Sequence, residues 1–155
     1  MIEAIRHAGP ILVLVGAGGV FGNVLKNTPL AAMVQQWVSN GSFSKLVFLL
    51  IAYAIGCLLK TAQGSTTSAI IVATSILSPI ALIAGYSEPF SLSLLLAATA
   101  SGAMMVSHAN DAYFWVISQF SELTMAQTYR SFSILSTVLS LSSLLFIMIV
   151  AAVLL

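Results

Sequence analysis

Residues 132–155 read FSILSTVLSLSSLLFIMIVAAVLL and contain no charged side chain. A helix rises about 1.5 Å per residue, and the hydrocarbon core of a bilayer is roughly 30 Å thick. A helix over this run is therefore long enough to cross a membrane. The run predicts a transmembrane helix, and it sets the character of the fold.

The remainder of the chain has a similar composition. Of its 155 residues, 59% are hydrophobic and only 6% are charged, whereas roughly a quarter of the residues in a soluble domain are charged. Five Lys and Arg with four Asp and Glu cannot cover a water-facing surface. The composition therefore predicts an integral membrane protein.

Charge and cysteine content exclude several functions. Nucleic-acid binding needs a clustered basic face, but the cations are scattered along the chain at Arg6, Lys26, Lys45, Lys60 and Arg130. The single cysteine, Cys57, excludes an intramolecular disulfide and a cysteine-based metal site. We expect no nucleic-acid partner and no cofactor.

Hydrophobic segments recur along the chain between turn-forming residues. The predicted segments are 8–25, 46–59, 68–84, 92–106, 113–120 and 132–155. Because the later segments are as hydrophobic as the first, a cleaved signal peptide over residues 1–22 is less favoured than a membrane segment. We expect an all-α integral membrane protein with five to six membrane segments, some of them broken or re-entrant, in a single domain over residues 1–155.

Polar, glycine-rich interruptions mark where function is expected, because hydrocarbon tolerates exposed backbone only beside protein or a water-filled cavity. The first interruption reads GAGGVFG over residues 16–22, with glycines at Gly16, Gly18, Gly19 and Gly22. Gly18 and Gly22 have the spacing of close helix packing. The alternative is an unwound segment that lines a transport path.

The second interruption reads KTAQGSTTS over residues 60–68. Free amides at the start of a helix, together with hydroxyl groups, can bind a carboxylate and its neighbouring hydroxyls. The predicted substrate-binding residues here are Gln63, Gly64, Ser65, Thr66 and Thr67, and Lys60 would add a positive charge. The simpler alternative is a polar turn in which Ser65 or Thr66 caps the next helix.

The third interruption reads SGAMMVSHAND over residues 101–111. Ionisable groups at membrane depth are costly and often mark proton or ion pathways. His108 and Asp111 are three residues apart and would share a face if the segment were helical, so we expect them to couple to a proton. Asn110 is a predicted substrate contact. The alternative is that His108 and Asp111 cap a helix or lie among lipid headgroups.

Other chemistry is less favoured at the third interruption. His108 and Asp111 do not complete a tetrahedral metal site, and His7 is remote in sequence. Ser65 or Ser107 with His108 and Asp111 supplies the residue types of a hydrolase, but spacing along the chain gives no geometry for it. We expect neither a metal site nor an enzyme.

These interruptions resemble the C-terminal region of the gluconate permease family, the gluconate:proton symporters. The resemblance rests on GAGGVFG at 16–22, AQGSTT at 62–67 and SHANDAYFW at 107–115, in the family's order, and extends over nearly all 155 residues. It implies proton symport of gluconate or a related sugar acid by a multi-pass protein of the bacterial inner membrane. Relatives that carry D-serine or another hydroxy acid give an alternative substrate.

The resemblance also implies an inverted-repeat transporter fold, of which this chain would be one half and the C-terminal third of a longer permease. A site at the interface between repeats would need the other repeat. The expected partners are therefore a small organic anion, a proton and the lipid bilayer, with a missing N-terminal half or a second copy of the chain as a further partner. An inactive truncated permease is the alternative to a transporting chain.

Overall fold

The computed structural model describes Gln36 and residues 44–155, and this part of the chain is helical, with no strand. The helices are α1 Lys45–Gln63, α2 Thr66–Ala81, α3 Pro89–Ala103, α4 Ala112–Phe120, α5 Met125–Thr128 and α6 Ile134–Leu154. A π-helical turn over Tyr129–Ser133 joins α5 to α6, so that Met125–Leu154 is one continuous helix. The predicted glycine interruption at residues 16–22 lies outside the described residues.

Local sequence sets where the helices begin and end. The hydroxyls of Ser44 and Ser65 accept hydrogen bonds from the first-turn amides of α1 and α2, which satisfies donors that a helix leaves unpaired. Pro89 stands at the start of α3, where its missing N–H costs nothing. Thr124 and Gln127 form a reciprocal capping box at the start of α5.

Helices α1 and α3 form a close contact through two glycines. A Cβ added to Gly56 would stand 2.4 Å from the carbonyl oxygen of Thr99, and one added to Gly102 would stand 2.1 Å from that of Tyr53. Both distances are shorter than van der Waals contact, so the two backbones touch where a side chain has no room. Small residues at such crossings are typical of packed membrane helices.

Apolar side chains from α1, α2, α3 and α6 build one core. Its buried members are Phe48, Leu49, Ala52, Leu77, Ala81, Ala84, Tyr86, Leu94, Leu95, Ala98, Ile147 and Ala151. Tyr86 comes from the connection between α2 and α3, and its hydroxyl donates to the carbonyl oxygen of Lys45 at 2.6 Å. The connection is thus fixed to the start of α1, and the three helices form a scaffold for the polar segments at their other ends.

Two described helices are long and apolar enough to cross a membrane, α1 and the continuous helix Met125–Leu154. Helices α2 and α3 are apolar but shorter. Large apolar side chains on α6 remain exposed, among them Leu135, Val138, Leu145, Phe146 and Val153. Such a surface suits lipid or another apolar partner rather than water.

The helix predictions agree with the described structure except in their bounds. Segments 46–59, 68–84, 92–106 and 113–120 correspond to α1, α2, α3 and α4. The last helix begins at Met125 rather than at residue 132, because the Thr124–Gln127 capping box starts it within the polar stretch before the apolar run. The predicted segment at residues 8–25 lies outside the described part.

Candidate functional site

The second and third interruptions face each other in the structure. Helix α1 ends at Gly64, whose φ of 72° is left-handed, and Ser65 then starts α2 with its own cap. Between α3 and α4 the chain leaves the helix for residues 104–111. A Cβ on Gly64 would stand 2.2 Å from the carbonyl oxygen of Asn110, so glycine alone permits this approach of the two segments.

A side-chain hydrogen bond supports the same contact. The Asn110 amide nitrogen donates to the carbonyl oxygen of Thr61 at 2.8 Å. Thr61 lies in the last turn of α1, where carbonyl oxygens lack partners within the helix. Asn110 therefore joins the two interruptions by a hydrogen bond and also belongs to the site.

Lys60 and Asp111 form a buried ion pair at the centre of this contact. The Lys60 Nζ lies 2.6 Å from Asp111 Oδ2, and the two side chains are 3% and 8% exposed. Lys60 also donates to the Thr66 hydroxyl at 3.1 Å and to the Gly64 carbonyl oxygen at 3.3 Å. The ammonium thus bridges the end of α1, the start of α2 and the α3–α4 connection.

The carboxylate of Asp111, the residue that precedes helix α4, accepts three hydrogen bonds. Lys60 Nζ and the Ser107 hydroxyl donate to Oδ2, and the Tyr113 amide donates to Oδ1 as Asp111 caps α4. Burial alone would raise the pKa of this carboxyl group, but the hydrogen bonds from Lys60, Ser107 and Tyr113 outweigh burial and hold the pKa below its ordinary value. Asp111 is therefore a carboxylate while Lys60 is its partner.

Helix α6 holds the α3–α4 connection from the other side. The Ser107 amide donates to the Ser136 hydroxyl at 3.2 Å, and the Ser133 hydroxyl donates to the Ser107 carbonyl oxygen. Ser133 is the last residue of the π-helical turn and Ser136 lies in the first turn of α6, so both serines are hydrogen-bond partners for irregular backbone. This role explains why these two serines stand near the start of an otherwise apolar helix.

A cavity of about 700 Å³ opens between these elements. Its lining residues are Lys60, Gln63, Gly64, Ser65, Thr66, Thr67, Met104, Ser107, Asn110, Asp111, Ala112, Tyr113, Phe132, Leu135, Ser136 and Leu139. The polar side chains of the lining come mainly from the two interruptions and form its polar wall, and the apolar side chains come from Met104, Ala112, Phe132, Leu135 and Leu139. This volume and mixture of surfaces suit a small organic ligand.

Most of the predicted site residues meet at this cavity. Gln63, Gly64, Ser65, Thr66, Thr67, Asn110 and Asp111 all line it. His108 is half-buried but does not line it, and the carboxylate of Asp111 pairs with Lys60 and Ser107 instead. The expected shared helical face is absent because residues 105–110 are not helical. Proton coupling by His108 and Asp111 stays a prediction, as do the substrate-binding roles of the other residues.

The pairing of Lys60 with Asp111 was not predicted from the sequence, although a signal for it existed. Lys60 is an isolated cation in an apolar helix, and Asp111 is the one acid within the third interruption. A buried charge needs a partner, and each of these was the other's obvious candidate. The contribution of Ser136 and Phe132 to the cavity had no signal, because the last helix resembles an ordinary membrane span.

Comparison with known proteins identifies the family of this chain. A profile of the GntP family permeases matches residues 1–153. The chain belongs to the GntP permease family. Members of this family are membrane permeases and not enzymes. The membership therefore argues against the hydrolase considered from the residue types Ser65 or Ser107, His108 and Asp111.

Several relatives of this permease chain are named as gluconate permeases or gluconate transporters. The gluconate permease of Bacillus subtilis is 31% identical over 97% of the chain, and that of Pseudomonas aeruginosa is 29% identical over 98%. The high-affinity gluconate transporter of Escherichia coli is 31% identical over 93%.

The permease chain is shorter than these relatives. It covers 32%, 32% and 31% of their lengths, and it corresponds to their C-terminal region. No solved structure matches the chain.

Proposed function

We propose that this chain forms part of a secondary transporter that carries gluconate or a related sugar acid with a proton across the bacterial inner membrane. The observation that supports the proposal is the cavity whose polar wall is built by both helix interruptions. Gluconate-type acids carry one carboxylate and several hydroxyls, and this wall offers one ammonium at Lys60, four hydroxyls at Ser65, Thr66, Thr67 and Ser107, and two amides at Gln63 and Asn110.

The polar and the apolar parts of the lining would bind different parts of such a substrate. The start of α2 carries the partial positive charge of a helix N-terminus, to which Lys60 adds a full charge, so the carboxylate binds on that side. The polyol hydroxyls exchange hydrogen bonds with Gln63, Thr67 and Asn110. The carbon chain lies towards Leu135 and Leu139 of α6.

The proposed whole transporter is a multi-pass protein with five to six membrane segments in this chain and an inverted repeat. The short helix α2 begins at the α1–α2 break and the short helix α3 ends at the α3–α4 break, and both breaks line the cavity, which supports broken helices along a substrate path. Because the chain spans about a third of its relatives' length, a second candidate is a segment that supplies one side of the site. Its partner would be the remaining portion of the permease or another copy of this chain.

Substrate binding tests the site. The purified chain in lipid nanodiscs would be titrated with gluconate, and Thr67→Val would be compared with Thr74→Val. Both changes replace a hydroxyl on α2, but Thr67 lines the cavity and Thr74 instead donates to carbonyl oxygens of its own helix. We expect weaker binding by roughly five- to tenfold for Thr67→Val only. Equal affinity in both variants would contradict the site.

Transport tests the second candidate. The chain in proteoliposomes would be given labelled gluconate and an inward proton gradient. Gradient-driven uptake by the chain alone contradicts the partial-site candidate. Binding without uptake supports it, and uptake that appears only after the remaining portion of a permease is added identifies the missing partner.

A further inference from the structure

The cavity contains one acid and one base among its lining residues, and they neutralise each other. Asp111 is the one carboxylate and Lys60 the one ammonium in the described lining. A buried ion pair contributes little net stability compared with apolar residues of the same size. This pair faces an open cavity rather than being sealed in the core, so an incoming anion can reach it.

We propose that Lys60 exchanges partners when substrate binds: the substrate carboxylate replaces Asp111 at the ammonium, and the released Asp111 takes up one proton. This inference rests on the proposed function and names the two residues that link anion to proton. Asp111 holds the coupled proton, and Lys60 holds the substrate.

Charge balance gives the physical reason for the exchange. The Lys60–Asp111 pair consists of one positive and one negative group, so its net charge is zero. A bound carboxylate would leave an extra buried negative charge, which is costly in a medium of low polarity. Protonation of Asp111 restores neutrality. One anion and one proton therefore enter together, and no covalent bond other than the O–H bond is made.

The geometry allows Lys60 to lose Asp111 and remain in place. The Gly64 carbonyl oxygen and the Thr66 hydroxyl also accept from its Nζ, at 3.3 Å and 3.1 Å. These two acceptors hold the ammonium at the start of α2, next to the cavity. Asp111 would keep the Ser107 hydroxyl and the Tyr113 amide as neighbours after protonation, since these contacts do not depend on Lys60.

Other titratable groups near the pair occupy different positions. Cys57 lies one turn before Lys60 on α1 and contacts Met105, Tyr113 borders the cavity on α4, and His108 is in the same connection without lining it. The π-helical turn presents Ser133, α6 presents Ser136, and α2 presents Thr66. Among the described hydrogen bonds, none joins the Asp111 carboxylate to a titratable side chain other than Lys60.

Proton uptake during binding measures the exchange directly. The chain in nanodiscs would be mixed with gluconate in weakly buffered solution containing a pH indicator, and binding would be titrated in parallel at about pH 6 and about pH 8. We expect one proton taken up per gluconate bound. Where Asp111 is ionised before binding, affinity should fall by about tenfold per pH unit, because one proton is bound with each anion.

Four variants separate the roles. Asp111→Asn imitates the neutral acid and keeps a good helix cap, so it should bind gluconate with the same affinity at both pH values and take up no proton. Lys60→Gln should weaken binding by roughly 10- to 100-fold at both. The double variant should resemble Lys60→Gln in binding, and its neutral pair preserves the fold. Lys45→Gln, at the opposite end of α1, should resemble wild type.

The outcomes distinguish this inference from the proposed function. Gluconate binding with unchanged proton uptake in Asp111→Asn, or without uptake in wild type, overturns the exchange while the site stands. If gluconate fails to bind but propionate binds with uptake of one proton, the exchange stands and the substrate class is wrong. If neither acid binds with proton uptake, the exchange is overturned.

Discussion

The α-carbon of Gly64 lies against the backbone carbonyl of Asn110, with space for hydrogen and none for a methyl group. This contact joins the end of α1 to the connection before α4, although the two residues are far apart in sequence. It places Lys60 within reach of Asp111 and closes one side of the cavity. The site therefore depends on a residue that carries no functional group.

Gly64→Ala should destabilise the chain more than Gly85→Ala. Both glycines have positive φ, 72° and 84°, which costs a non-glycine residue about 1 kcal/mol. A Cβ at Gly85 would meet only the flexible end of Lys45 at 3.5 Å, whereas one at Gly64 would clash with Asn110 backbone. We expect a loss in the free energy of unfolding of about 1 kcal/mol for Gly85→Ala and at least about twice that for Gly64→Ala.

Unfolding of the purified variants by sodium dodecyl sulfate, followed by helical circular dichroism, provides this comparison. Gluconate binding by folded Gly64→Ala should also fall, because Asn110 must move away. Equal stability of the two variants would mean that the contact between the interruptions does not hold the site together.

The sequence anticipated this meeting of interruptions, for a physical reason. Polar, glycine-containing backbone in an apolar chain must face something hydrophilic, so the interruptions at 16–22, 60–68 and 101–111 were all expected to converge on one solute passage. The last two meet at the cavity, and the first lies outside the described residues. The spacing of His108 and Asp111 along the chain could not predict the conformation of residues 101–111. The proposed His108–Asp111 pairing assumed a helix, but Asp111 starts a new helix as its cap, and its carboxylate turns towards Lys60.

The helices themselves were easier to predict than their junctions. Continuous apolar runs fixed the existence of α1, α3 and α6, because each run must be shielded from water. The last helix starts earlier than predicted, because Thr124 and Gln127 form a reciprocal capping box inside a polar stretch. The close crossing at Gly56 and Gly102 was also missed, because it depends on two glycines that are distant along the chain.

The crossing of α1 and α3 should not tolerate a methyl group. Gly56→Ala and Gly102→Ala each place a Cβ against backbone, which cannot rotate away, so the helices must separate. We expect each change to lower the free energy of unfolding by about 2 kcal/mol. Ala54→Leu is the matched control, because Ala54 is on the exposed face of α1. It should change stability by less than about 0.5 kcal/mol in the same detergent titration.

Ionisation of Tyr86 should lower the free energy of unfolding at high pH. Burial raises the pKa of its hydroxyl to about 12 from 10.0, and the protonated hydroxyl donates to the Lys45 carbonyl oxygen. The folded state therefore holds this proton more tightly than the unfolded state. The contribution is fully present below pH 10.0 and disappears as the pH rises through about 12.

Tyr86→Phe tests that contribution while keeping the ring that packs against Phe48. Below pH 10.0 the variant should be about 1 kcal/mol less stable, from the lost hydrogen bond. Its stability should then fall less steeply than that of wild type in the alkaline range. Parallel pH curves for the two proteins would contradict ionisation of Tyr86 as the cause.

The Lys60–Asp111 pair should show strong coupling in a double-mutant cycle. Asp111→Asn leaves a buried ammonium without a counter-charge, and Lys60→Gln leaves a buried carboxylate, so each single change should destabilise the chain by about 2–3 kcal/mol at neutral pH. The double change removes both charges and retains groups able to hydrogen-bond. It should recover most of the loss, because a neutral pair costs far less to bury.

Acid pH gives this cycle a second readout with a definite sign. The pKa of Asp111 is lowered in the folded state, so the pair's contribution is present above the ordinary carboxyl range and is lost as the pH falls through the folded value. Wild type should lose stability in that acid range more than the double variant does. Additive single-variant losses, with equal acid sensitivity in all four proteins, would show that the two charges do not act as a pair, and the exchange proposed for transport would then lack its starting state.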